Sequence, residues 1–129
     1  MKNGILQCGA AFSALLFSSV VFSAPMQHEI SYKKDVEPII HDYCLNCHEP
    51  NGKGYEKSGL DMRTYSSLMK GTKFGTVIKP SDSFTSIFIQ VIEGRVHASI
   101  KMPYGMNGGL AKDKIETLKK WVDQGAKNN

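Results

Sequence analysis

The chain has 129 residues, a formal net charge of +4 and 22% charged residues. That is the size of one domain and no internal repeat divides it. The basic residues are spread along the sequence rather than clustered, which does not suggest a nucleic-acid footprint and permits an acidic protein partner. Four of the residue types that carry chemistry are scarce: three Cys, four His, six Met and one Trp.

The N-terminus reads as a leader. Lys2 gives a thin positive start, Ala10 to Val21 is an apolar run, and Phe22-Ser23-Ala24-Pro25 supplies small residues after it. This is the pattern of a secretory signal peptide over residues 1–23, too short for a comfortable membrane span. Cleavage after Ser23 leaves a domain of residues 24–129 with a net charge of +3 and two cysteines. The expected location is therefore periplasmic or otherwise exported, with no membrane span after cleavage.

From Tyr32 the first element begins. Val36, Ile39, Ile40 and Tyr43 recur at helical spacing, and Pro38 is tolerated only in a first turn, so the regular helix should start near Val36 or Glu37. It runs into Cys44-Leu45-Asn46-Cys47-His48. Two thiols three residues apart with an imidazole directly after them form the C-x-x-C-H pattern of covalent haem attachment. On one turn of chain Cys44 and Cys47 can reach the two porphyrin vinyl groups, and His48 then falls under the iron as proximal ligand. A redox-active thiol pair would need a helix beginning after the first cysteine, whereas here one ends before it. A structural zinc site would need a fourth ligand that the chain does not supply nearby.

Glu49 to Gly54 reads as a turn-forming loop. A carbonyl between Pro50 and Leu60 is expected to accept the second ring N–H of His48 and so fix its tautomer. Thr64 can cap a short helix, Tyr65 to Lys70, stopped by Gly71. Val77 to Pro80 should be extended. Phe84, Ile87, Phe88, Val91 and Ile92 mark a helix ended by Gly94, with N-cap candidates at Ser81, Asp82 and Ser83. Residues 95 to 110 form a glycine-rich irregular segment. The last helix spans about Ala111 to Gln124, with Ile115, Leu118, Trp121 and Val122 on one face. Trp121 is expected to pack between the first and last helices. The sum is an all-α fold of about four short helices wrapped round one covalently attached haem.

The other face of the iron decides the chemistry. A Met thioether gives a six-coordinate electron-transfer centre; an open face gives ligand binding or peroxide chemistry. Met62, Met69, Met102, Met106, His97 and, as a lesser alternative, a lysine are the candidates. Met102 is preferred, because it lies in a loop between two helices with Pro103 stiffening the chain behind it. His97, His28 and His41 otherwise read as surface residues.

From Tyr32 to Ala126 the chain resembles single-haem class I-like cytochromes c, in the group with planctomycete-type cytochrome c domains. The residues that carry the resemblance are YKKDVEPII, CLNCH, SGLDMRTYSSLMKG, VIKPSDS, KMPYG and LKKWVDQGA. It implies one haem c held by Cys44 and Cys47, with His48 proximal and Met102 distal. Two positions depart from the group: Tyr104 stands where a second proline is common, and Ser81 where glycine is common. The implied function is an exported carrier of single electrons between redox protein partners, not an enzyme. Lys53, Lys57, Lys101 and Lys112 are candidates to flank a haem edge and steer an acidic partner. The alternatives are a gas sensor or peroxidase with an open distal site, resting on Tyr104 and His97, and an electron-relay subunit of a larger complex.

Overall fold

A computed structural model describes residues 28–129. The signal-peptide reading of residues 1–23 lies outside the described residues. Among those described there are five α-helices and no strand: α1 (Glu37–Tyr43), α2 (Lys53–Ser58), α3 (Tyr65–Lys70), α4 (Ile87–Glu93) and α5 (Lys112–Asp123).

The chain enters α1 through a wider turn, Tyr32–Val36, of π type. Ser31 starts it, its hydroxyl accepting from the Lys34 amide while the Ser31 amide donates to Asp35 Oδ2. Pro38 then falls in the first turn of α1, where a missing N–H removes nothing the helix needs. The expected apolar face holds: Val36, Ile39 and Ile40 are buried, and Tyr43 packs at the edge of the core.

α3 follows its sequence signals closely. Thr64 accepts from the Ser67 amide and Ser67 returns the bond to the Thr64 amide, a capping box, and Gly71 ends the helix at φ +83°. Trp121 on α5 is buried, with Tyr32 5.6 Å and Tyr65 6.4 Å away between ring centroids, and its indole N–H donates to the Lys127 carbonyl. It thus joins the first turn, α3 and α5. The C-terminal residues close over the start of the domain: the Tyr32 amide donates to Asn129 Oδ1, and Lys33 to its carbonyl.

Two expectations need correction. Residues 53–58 are helical, not loop; Gly52 and Gly54 hid that helix because glycine is a poor helix former. α4 begins three residues later than the apolar spacing suggests, and a different face is buried. Phe88, Ile89 and Ile92 face the core, whereas Phe84 is 74% and Ile87 47% exposed. The cause is local polar chemistry. Ser86, fully buried, donates to the Asp82 carbonyl and accepts from the Lys79 amide, and the Asp82 side chain takes the Thr85 amide. Those bonds satisfy residues 79–86 as a folded turn and compete with a helical one. Ser83 then anchors the turn to α5, donating from backbone and hydroxyl to the two oxygens of Asp123. Ser81 sits at φ +66°, the left-handed region that favours glycine.

Candidate functional site

The C-terminal end of α1 delivers the cysteine pair. The Cys44 and Leu45 amides both donate to the Ile40 carbonyl, closing the helix. The chain then turns on itself: the Cys47 and His48 amides donate back to the Cys44 carbonyl at 3.2 and 3.1 Å. Both thiols therefore sit on a single turn, and both are free. Their surroundings differ. Cys44 packs against the core, and burial, with a smaller contribution from Cys47, pushes its thiol up to about 11. Cys47 is exposed.

His48 is buried, and its Nδ1 is enclosed without a well-formed hydrogen bond. Burial lowers its pKa, so the imidazole is held neutral at physiological pH, the form that ligates metals. The backbone of Leu60 opposes that shift as a weak acceptor, and it lies within the stretch expected to supply one.

The segment after His48, running into α2, is wrapped so tightly that two of its residues have no room for a side chain. A Cβ at Gly52 would lie 2.6 Å from the Cys47 carbonyl oxygen; one at Gly54 would lie 2.8 Å from that oxygen and 2.8 Å from His48 Cε1. The Tyr55 amide donates to the Cys47 carbonyl and the Met62 amide to the His48 carbonyl, at 2.9 and 2.8 Å. α2 is thus packed directly behind the histidine ring. Sequence reasoning missed this role of Gly52 and Gly54, which follows from close approach rather than from turn chemistry.

Met102 lies across the domain in sequence but is tied to α4, its amide donating to the Val91 carbonyl at 2.9 Å, and its side chain packs partly buried against the core. The loop is steadied on both sides. The stem of Lys101 lies over Gly94, where a Cβ would come within 3.2 Å of Lys101 Cε, and close to Gly109. Within this segment Ile100 is 51% and Met106 42% exposed. Apolar side chains left this open are of the kind that a porphyrin face covers. The remaining candidates for the distal position sit differently. Met62 is buried in the core, Met69 packs at its edge, and His97 is exposed, with Nδ1 on the Ser99 hydroxyl. Tyr104 is 76% exposed.

Residues 44–103 match the family model described as Planctomycete cytochrome C. That stretch is similar to a planctomycete-type cytochrome c domain. The match begins at the first cysteine of the motif and ends one residue past Met102. No curated protein and no solved structure matches the chain. A cytochrome c domain implies a c-type haem and electron transfer through it. The residues present fit that group: paired thiols on one turn, with a buried neutral imidazole beside them. No helix among the described residues is long and apolar enough to cross a membrane.

Proposed function

We propose that this domain is an exported carrier of single electrons, holding one haem c through thioethers to Cys44 and Cys47, with His48 and Met102 as axial ligands. The observation that carries the reading is the conjunction at His48: a ring kept neutral by burial, backed by two glycines, one residue after a free cysteine. When bound, the haem supplies an iron that alternates between ferric and ferrous states. The chain's own residues do the rest. Gly52 and Gly54 let the backbone press on the histidine ring and fix its plane. The Val91 carbonyl, through the Met102 amide, fixes where the thioether stands. A ligand set held from both sides changes little on reduction, which suits electron transfer.

Cytochrome c domains are typically exported, which agrees with the leader-like N-terminus. Electron exchange with partner proteins is expected to be weak and transient. Lys53, Lys57, Lys101 and Lys112 are all exposed and available for steering an acidic partner. The sensor or peroxidase reading has less support, because His97 is engaged with Ser99 and Tyr104 points to solvent.

The test is Met102→Ala in the haem-loaded protein. The ferric absorption band of methionine-ligated haem should vanish and the reduced protein should bind carbon monoxide readily. A ferric spectrum unchanged by the substitution contradicts the ligand assignment.

A further inference from the structure

A second surface, distant in sequence from the ligand loop, has the form of a membrane contact. Between α3 and the extended 77–80 segment the chain makes a tight turn, Thr72 to Gly75, with Phe74 at its tip and 81% exposed. Among the described residues this is the most exposed of the large apolar side chains, and the turn cannot fold it away. The Thr72 amide donates to the Gly75 carbonyl and the Gly75 amide to the Thr72 carbonyl; the Thr72 hydroxyl caps the Phe74 amide; the Lys73 amide is fixed to the Ser58 carbonyl at the end of α2.

Basic residues gather along this turn. Lys73 stands over the Phe74 ring, 5.2 Å from the centroid. Lys70 lies just before the turn, and Lys57 precedes the Ser58 to which the turn is tied. Among the described residues none of these three lysines pairs with a carboxylate. Beside the tip is a concavity of about 300 Å³ lined by Ser67, Lys70, Gly71, Thr72 and Lys73. Its acidic residue, Asp61, is already held by the Arg63 guanidinium through two oxygens.

We propose that this turn docks the protein on an anionic phospholipid surface, with Phe74 in the interfacial layer and a lipid phosphate between Lys70 and Lys73. The shape decides for a bilayer over a protein partner: a convex aromatic tip needs a matching socket on a protein, whereas a headgroup layer accepts it anywhere. Aromatic insertion and lysine attraction are the two contributions that bind proteins to such surfaces. The contact is separate from the haem ligands and would confine the carrier near the membrane without anchoring it there.

The test is sedimentation of the purified haem-loaded protein, with its N-terminus determined, with phosphatidylcholine vesicles with and without phosphatidylglycerol. Phe74→Ser and the double variant Lys70→Gln/Lys73→Gln are compared with the unaltered protein, their folding checked by circular dichroism and the haem spectrum. The unaltered protein should associate with the anionic vesicles at low salt and not with the neutral ones. Each lysine removed should weaken association by about fivefold, as should loss of the ring. Equal partition of all three proteins, or no preference for the anionic vesicles, overturns the proposal. So does saturable binding of inorganic phosphate or polyglutamate at the turn without vesicle association, which would make it a free-anion or protein site.

Discussion

At His48 the decisive neighbours carry no side chain at all. Gly54 has backbone behind the ring where any other residue would place a carbon 2.8 Å from both the Cys47 oxygen and the ring itself. Gly54→Ala should therefore cost about 1–3 kcal/mol of stability, as overpacking does, and should tilt the imidazole. Chemical denaturation measures the first effect and the reduction potential the second; a variant with both unchanged would mean the loop has room to move. The cysteines and histidine stand out as candidates by spacing alone, because haem attachment would demand them in that order. The two glycines do not, since a close approach between segments leaves no mark in local sequence beyond the glycine itself. Ser81 is the converse case. Its departure from the group's glycine was visible, and its φ of +66° supplies the physical reason why glycine is common there.

Among the elements, α1, α3 and α5 were read from apolar spacing and capping residues, and they stand where those signals put them. α4 shows the limit of that reading. Phe84 continued the apolar period, but Asp82 and Ser86 bind the backbone between them, and local polar bonds outweigh a periodicity that only tertiary burial could have rewarded. The C-terminal end of α4 is joined to α5 through Glu93, which meets Arg95 at 2.5 Å and Lys119 at 2.9 Å. Burial pushes the Glu93 carboxyl upward, but the hydrogen bonds from Lys119 and Arg95 outweigh it and hold it below the usual carboxylate range. A carboxylate depressed in the folded state stabilises above its unfolded pKa, and that contribution fades as pH falls through the folded value. Glu93→Gln should thus lower stability at neutral pH by about 1 kcal/mol or less and flatten the acid limb. Denaturant midpoints at neutral and acidic pH measure this; an undiminished acid slope in the variant would contradict it. Because α4 also carries the Val91 carbonyl that holds Met102, loosening this end should reach the Met102 loop first.

For the whole molecule, the architecture is economical: short helices, a core that includes the fully buried Trp121, Leu118, Val36 and Ile89, and a cysteine–histidine turn at the end of α1. A chain of this length buries limited surface alone, so a large apolar cofactor in its centre would contribute much of the core. The all-α class was readable because every long apolar pattern had helical period, while the number of helices was undercounted where glycines masked α2. The account rests on covalent attachment of one haem at the Cys44–Cys47 turn. Its most direct test is the intact mass, under denaturing conditions, of protein exported from a host able to mature c-type cytochromes. The predicted result is the polypeptide plus a single haem, with neither Cys44 nor Cys47 open to alkylation. A mass of polypeptide alone, with both thiols alkylated, would contradict it.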